Sequence, residues 1–213
     1  MDTDRPPGEC SASKPLSAVE IAPCWAVAPV GRRVDGKISI VIEPGAGFGD
    51  GTHETTKLCL QAIAALAPRG AGAWRMLDFG SGSGILAIGA ANLGAWVDAV
   101  DIDELAIRHA ERNARINGVS DRIGFSRTLA AAPGPFEMIV GNILRPVLLE
   151  FAAELCFRLG DAGALMLSGL VSTDLPAVSA RYAALLGRQR PEIYERGDWR
   201  GLLWRSATPS SRS

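Results

Sequence analysis

The strongest structural signal in this chain is Met76-Leu77-Asp78-Phe79-Gly80-Ser81-Gly82-Ser83-Gly84-Ile85-Leu86-Ala87-Ile88. An apolar strand runs into a glycine-rich turn, and the turn opens a helix. Glycines at every second position allow a sharp turn and let a ligand approach the main chain. The free N–H groups and the positive dipole end of the helix favour a ligand that carries a negative group. The stretch therefore predicts a binding site at this junction, and the alternative is a tight turn without a ligand.

The spacing of the glycines narrows the class of ligand. A dinucleotide fingerprint, G-x-G-x-x-G, would need glycine where this chain has Ile85, and the Gly-Lys-Ser/Thr ending of a P-loop is absent from the stretch. About twenty residues further on, a second apolar strand ends in Val100-Asp101-Ile102-Asp103, where an acid can accept hydrogen bonds from ribose hydroxyls. The motif Asp-x-Gly-x-Gly-x-Gly followed by this acid resembles the class I S-adenosylmethionine methyltransferases. In that class the methionine carboxylate of the cofactor meets the glycine turn.

Length and composition indicate one globular domain with short extensions. The chain has 213 residues, 47% of them hydrophobic, and a net charge of −1, so neither nucleic acid nor an acidic membrane attracts the whole chain. Four cysteines are scattered without metal-ligand spacing, which favours reduced thiols in a cytoplasmic protein and predicts no metal site. No apolar run reaches the roughly 18 residues of a spanning helix, and the N-terminus has no signal-peptide core.

The order of apolar patterns predicts an α/β fold with a doubly wound, mostly parallel, Rossmann-like sheet. We expect mobile tails at residues 1–22 and 206–213. Between them we expect one domain, 23–205, made of an N-terminal segment, 23–53, and a core, 54–205. The core is predicted to contain the strands 74–79, 96–102, 122–126, 136–141 and 164–168 and the helices 54–66, 84–93, 104–117 and 174–186. A further helix is predicted to follow the strand 136–141 and to end at about residue 159.

Two hairpins are predicted at the ends of this domain. The apolar runs Cys24–Val30 and Lys37–Ile42 flank the turn signal Val34-Asp35-Gly36, which predicts a short N-terminal β-hairpin. The runs Glu192–Arg196 and Gly201–Arg205 flank Gly197-Asp198 and predict an antiparallel hairpin that closes the domain.

A glycine-rich loop, Glu43–Thr56, precedes the first core helix and is either a long connection or a lid over a ligand. Thr52 is the expected N-cap of that helix. His53 is expected to make local hydrogen bonds at the start of the helix. His109 lies mid-helix among charged residues and is expected to be solvated.

Asn142 follows the apolar strand that ends at Gly141. Methyl transfer is an in-line displacement that needs a correctly aimed neutral nucleophile, and an amide oxygen can hold the N–H bonds of an amine. Asn142 is therefore a candidate catalytic residue. The alternative is that Asn142 caps the next helix.

Several segments together resemble a narrower family, the bacterial ribosomal protein lysine methyltransferases of the PrmA type. The matching stretches are Glu43-Pro44-Gly45, Phe48-Gly49-Asp50-Gly51-Thr52-His53-Glu54-Thr55-Thr56, Asp78–Leu86, Val100–Asp103, Asn113–Gly118, Asn142–Leu144 and Gly197-Asp198-Trp199. The resemblance implies an enzyme that uses S-adenosylmethionine to methylate amino groups of a protein, and it implies cofactor contacts at Thr56 and Asn142. Together with the glycine motif, the full set of expected cofactor residues is Phe48, Thr56, Asp78, Gly80, Ser81, Gly82, Gly84, Asp101, Ile102 and Asn142.

Two positions are expected to face the methyl acceptor. Asp50 stands where the family usually has threonine, and its carboxylate either attracts a cationic substrate or alters the substrate pose. Trp199 either walls the substrate cavity, where it can face a methylated ammonium group, or packs against a strand.

The acceptor itself is left open by the sequence. Only about two dozen residues precede Trp25, too few for the separate docking domain of the family. A protein amine is the first expectation, and a small-molecule amine is the alternative. A third possibility is a partner subunit that binds the cofactor without catalysis.

Overall fold

The computed structural model describes residues 18–205 apart from 22, 29–30, 33, 44, 46–48, 69–72 and 188–189. Most of the two expected tails, 1–17 and 206–213, therefore lies outside the described residues. The strands are β1 (Val19–Ile21), β2 (Trp25–Ala28), β3 (Ile38–Val41), β4 (Trp74–Phe79), β5 (Ala95–Val100), β6 (Ile123–Ser126), β7 (Phe136–Asn142), β8 (Leu159–Val171), β9 (Glu192–Arg196) and β10 (Trp199–Arg205). The α-helices are α1 (Glu54–Leu66), α2 (Ile85–Asn92), α3 (Glu104–Ile116), α4 (Arg145–Glu150), α5 (Ala152–Arg158) and α6 (Leu175–Leu186).

Seven strands form the main sheet in the order β6-β5-β4-β7-β8-β10-β9. The first five run parallel, while β10 and β9 are antiparallel to their neighbours. The predicted doubly wound sheet and its C-terminal hairpin are thereby confirmed. The order reverses at β4, because the chain continues outward through β5 and β6 and then returns to place β7 on the other side. Ligands of such sheets bind outside the carboxyl ends of the strands at this switch point.

Both faces of the sheet are buried. Because successive residues of a strand point to opposite faces, neighbouring residues enter two different apolar clusters. Met76, Met138 and Met166 pack with α1 and α2 in one apolar cluster. Their neighbours Leu77 and Ile139 pack with α4, α5 and α6 in a second cluster on the other face. Helices therefore cover both faces of the sheet beside β4, β5 and β7.

The N-terminal strands do not form the predicted hairpin. β2 and β3 pair in parallel, with Trp25 opposite Ile38 and Ala28 opposite Val41. All four residues of β2 are buried, which is typical of a strand inside a parallel arrangement rather than of a half-solvated hairpin. β1, which falls in the segment expected to be a tail, pairs antiparallel with the other edge of β2.

The helix caps explain two element boundaries. α3 begins after Asp103, whose carboxylate accepts from the Leu105 amide at 2.8 Å, and it ends before Gly118, which has φ +70°. α1 begins after His53 rather than the predicted Thr52. None of the helices in the described part of the chain combines the length and the apolar run that a bilayer crossing requires.

Candidate active site

The glycine turn after β4 is anchored to the end of β5. The Gly80 and Ser81 amides donate to the Val100 carbonyl at 2.8 and 3.1 Å. The Gly82 amide donates to Oδ2 of Asp101 at 2.8 Å. Asp101 therefore shapes the turn in addition to its predicted role toward a ribose.

The three glycines of the turn have positive φ, and at two of them a side chain would also be too close to a neighbouring residue. The values are +80° at Gly80, +52° at Gly82 and +79° at Gly84, a region that side chains rarely adopt. A Cβ on Gly84 would lie 2.9 Å from the Ala110 Cβ, so this glycine lets α2 pack closely against α3. A Cβ on Gly80 would lie 2.9 Å from Cδ1 of Ile143, a residue of the cavity described next.

A cavity of about 490 Å³ opens at the carboxyl ends of β4, β5 and β7. This volume lies in the range of ligand sites, roughly 300–1,000 Å³. The expected site residues that line it are Thr56, Gly80, Ser81, Gly82, Asp101, Asn142 and Trp199. The structure therefore brings together the glycine turn, Asp101, Asn142 and Trp199, which lie far apart in the sequence.

Other expected site residues stand outside this lining. Among the described residues, Asp50, Asp78, Gly84 and Ile102 are not part of the cavity wall. Ile102 is 82% exposed beside the cavity residues Asp101 and Asp103. Phe48 lies outside the described residues. Ligand contacts stay predictions for these five residues and for the expected site residues that line the cavity.

Asp78 supports the turn from below. Its side chain is fully buried, and Oδ2 accepts from the Ala87 amide at 3.0 Å. Burial raises the pKa of Asp78 to about 7, against the lowering effect of the Ala87 hydrogen bond and with the help of the nearby Asp101 charge. The carboxyl group thus ties the start of α2 to the end of β4.

Two buried hydroxyls of the cavity wall have no hydrogen-bond partner within the described residues. They are Oγ1 of Thr56 and Oγ of Ser81, in residues that are 1% and 4% exposed. A buried polar atom without a partner costs free energy. The cavity therefore suits a ligand whose polar groups can reach both the Thr56 and the Ser81 hydroxyl. A cofactor with a carboxylate, an ammonium group and ribose hydroxyls has such polar groups.

The opposite wall is built at the start of α1. His53 accepts from the Thr55 amide through Nδ1 at 3.4 Å, and Nδ1 lies 2.7 Å from the Thr55 hydroxyl. Since Nδ1 accepts from the amide, the hydroxyl is the donor in the second bond. The prediction of local hydrogen bonds at His53 is confirmed.

Trp199 completes this wall from the C-terminal hairpin. Its ring meets the His53 ring edge-on, with centroids 4.8 Å apart and an interplanar angle of 65°. A neighbouring ion pair between Glu54 and Arg196 joins α1 to β9. Trp199 thus belongs to a strand of the sheet and also lines the cavity, and its contact with an acceptor stays a prediction.

Asp50 is exposed and engaged locally. Its carboxylate accepts from the Thr52 amide at 2.9 Å and from the Thr52 hydroxyl at 2.6 Å. Burial alone would raise the pKa of Asp50, but these hydrogen bonds outweigh it and lower the pKa below its ordinary value. Thr52 is therefore a partner of Asp50, which explains why it does not cap α1.

Asn142 ends β7 opposite Ser168 of β8 and lines the cavity. The alternative role, capping of the next helix, is wrong because Leu144 occupies the N-cap of α4. The position of Asn142 beside the glycine turn is the one that the acceptor-aiming hypothesis needs.

One residue near the site was wrongly predicted from the sequence. His109 is 1% exposed, so the expectation of a solvated histidine is wrong. Asn113 on the same helix is fully buried. The available signal was the spacing of His109, Asn113 and Asn117 at every fourth position, which places three polar side chains on one helix face.

The switch-point position of the glycine turn, the acid after β5 and the strand-end asparagine define a class I S-adenosylmethionine-dependent methyltransferase fold. The model of the family described as ribosomal protein L11 methyltransferase (PrmA) matches residues 12–206. The chain belongs to this family, and the resemblance predicted from the sequence is confirmed. The description of this family agrees with the predicted class of enzyme, a methyltransferase.

Individual relatives agree with the family match. The ribosomal protein L11 methyltransferases of Trichlorobacter lovleyi and of Geobacter sp. strain M21 are 42% and 40% identical, over 75% and 80% of this chain. The matches cover 54% and 56% of those two proteins, so the chain spans about half the length of the curated relatives it matches.

Solved structures show the same fold. A ribosomal protein L11 methylase from Lactobacillus delbrueckii subsp. bulgaricus is 31% identical with a TM-score of 0.78, covering 90% of this chain and 100% of that chain. An RNA methyltransferase from Salinibacter ruber, solved with S-adenosyl-L-homocysteine, is 19% identical with a TM-score of 0.53 over 72% of this chain and 92% of that chain. The second likeness shows the fold alone.

Proposed function

We propose that this chain transfers a methyl group from S-adenosylmethionine to an amino group of a protein, with ribosomal protein L11 as the first acceptor to test. The observation that carries the proposal is the cavity in which the glycine turn and Asp101 face Asn142 and Trp199. Family membership supports the choice of a ribosomal protein as acceptor.

The residues for the cofactor are those of the turn and its neighbours. The N-terminus of α2 and the turn residues Gly80–Gly82 suit the methionine carboxylate. Asp101 already accepts from the Gly82 and Asp103 amides, and the remaining lone pairs of its carboxylate are available to ribose hydroxyls. When bound, the cofactor supplies a methyl group activated by a sulfonium centre.

Asn142 and the aromatic wall serve the acceptor. The Asn142 oxygen accepts an amine N–H bond but takes up no proton near neutral pH, so its role is to orient the amine. Trp199, fixed against His53 at 4.8 Å, confines the alkyl stem of an approaching side chain. Alignment of the two reactants in this manner accounts for a large part of the rate in displacement reactions.

The test uses the purified chain with radiolabelled S-adenosylmethionine and three acceptor pools: purified ribosomal protein L11, total ribosomal protein and the small-molecule fraction of a lysate. We expect label in L11, and about a hundredfold slower labelling with Asn142→Ala under the same conditions. Label only in the small-molecule fraction would instead support a small-molecule methyltransferase. Binding of S-adenosylhomocysteine without label in any pool would support a non-catalytic subunit.

A further inference from the structure

A row of polar side chains on α3 and its C-cap holds the segment that leads into the glycine-rich loop. The row consists of His109, Asn113 and Asn117, which lie four residues apart and therefore on one face of the helix. His109 and Asn113 are 1% and 0% exposed. Neither His109 nor Asn113 belongs to the described residues that line the cavity.

The row forms hydrogen bonds with the backbone at the end of β3 and just after it, as a neighbouring strand would. Asn117 accepts from the Val41 amide at 2.8 Å and donates to the Val41 carbonyl at 2.7 Å. Asn113 accepts from the Glu43 amide at 3.0 Å. Nε2 of His109 lies 2.8 Å from the Glu43 carbonyl, and since a carbonyl only accepts, Nε2 carries the proton and donates.

The fit of this segment against His109 is close. A Cβ on Gly45 would lie 2.4 Å from His109 Nε2, so any residue with a side chain at this position would displace the ring. The chain is thus held against the helix both by hydrogen bonds and by contact.

Asn113 also reaches the glycine turn. Its Nδ2 donates to the Ser83 carbonyl at 2.9 Å, while its Oδ1 accepts from Glu43. The Ser83 hydroxyl in turn donates to the Gly49 carbonyl, and Gly49 lines the cavity. One buried amide therefore joins Glu43, at the start of the loop, to Ser83 of the glycine turn, and Ser83 in turn holds Gly49 of the cavity wall.

We infer that Asn113 is a positioning residue that sets the distance between the glycine turn and the loop before α1, and with it the affinity for the cofactor. The inference rests on the proposed function, because it names the part of the chain that shapes the cofactor site without touching the cofactor. The amide is required as such: aspartate would place a carboxylate oxygen against the Ser83 carbonyl, and alanine would leave both Glu43 N–H and Ser83 C=O without this partner. Asn117 provides a matched comparison, because it makes similar hydrogen bonds but none to the turn.

The experiment compares Asn113→Ala, Asn113→Asp and Asn117→Ala with the wild type. S-adenosylhomocysteine binding is measured by calorimetry at a temperature where circular dichroism shows each variant folded. We expect both Asn113 variants to raise Kd by about tenfold, the loss of roughly one strong hydrogen bond's worth of pre-organisation. Asn117→Ala is expected to lower the thermal midpoint while leaving Kd within about twofold.

Hydrogen exchange of the ligand-free proteins gives a readout that does not depend on binding. The turn amides of Gly82 and Gly84, which donate to Asp101 and to the Ser81 carbonyl, are expected to exchange faster in Asn113→Ala than in Asn117→Ala. Equal Kd values for Asn113→Ala and wild type, or equal losses in the Asn113 and Asn117 variants, would overturn the inference. If the wild type binds no S-adenosylhomocysteine, the proposed function fails, and unchanged exchange at Gly82 and Gly84 would then overturn the positioning role as well.

Discussion

Replacement of Thr56 by valine separates the free energy of folding from that of cofactor binding. Thr56 is 1% exposed, lines the cavity and carries a hydroxyl without a partner in the described part of the chain. Valine has nearly the same shape, so packing changes little. The substitution removes a buried polar atom that is unsatisfied until a ligand binds.

The two effects have opposite signs. Relief of an unsatisfied buried hydroxyl stabilises the free protein by about 1 kcal/mol, the lower end of the usual cost. For a chain of this size that free energy raises the thermal midpoint by roughly 2–4 °C. Loss of one hydrogen bond to the cofactor weakens binding by about 1 kcal/mol, or roughly fivefold in Kd.

The assay is thermal unfolding with and without S-adenosylhomocysteine, together with calorimetric titration. Thr55→Val is the matched control, because Thr55 is equally buried but its hydroxyl donates to His53. The control is expected to lower the midpoint of the free protein, whereas Thr56→Val raises it. A lower midpoint for Thr56→Val combined with unchanged ligand affinity would refute the reasoning.

Three further substitutions test the site. Asp101→Ala is expected to weaken S-adenosylhomocysteine binding by about 1.5–3 kcal/mol, the scale of a hydrogen bond to a charged group; an unchanged calorimetric Kd would place the ribose elsewhere. Asn142→Ala is expected to lower turnover about a hundredfold with a much smaller change in cofactor Kd, because orientation is lost; equal losses in both quantities would make Asn142 a cofactor ligand only. Asp78→Asn tests a pH effect, because burial raises the pKa of Asp78 from 3.8 to about 7. Between these two values the native state retains a proton that the unfolded chain releases. The contribution of Asp78 to the free energy of unfolding of the wild type therefore decreases as the pH rises from about 4 to about 7. The midpoint of Asp78→Asn relative to wild type is therefore expected to increase between pH 5 and 8, and a constant difference would show that Asp78 is ionised in the native state throughout.

The sheet and the centre of the site were predictable because their signals are local. The glycine spacing from Gly80 to Gly84 by itself predicts the turn. Asp101 and Asn142 stand at the ends of apolar runs that predict strands. Parallel strands end at one edge of a sheet, so the meeting of these residues followed from the order of the elements.

What the sequence did not reveal depends on partners far along the chain. His109 sits among charged residues, and its partner at Glu43 is 66 residues away, so a helix pattern alone indicated solvent. The prediction that β2 and β3 form an antiparallel hairpin was wrong for a related reason. A turn signal between two apolar runs is equally present in a hairpin and in a short parallel crossover, and burial on both faces of β2 decides between them.

The link between Glu54 and Arg196 has a consequence for the order of events during synthesis. The two residues are 142 positions apart, and Trp199, just beyond, supplies a wall of the cavity that begins at His53. Contacts of such large sequence separation form late because a long stretch of chain must be closed first. A nascent chain that has already formed the glycine turn still lacks this wall until its last strands are made, so the cavity is complete only when synthesis of the domain is complete.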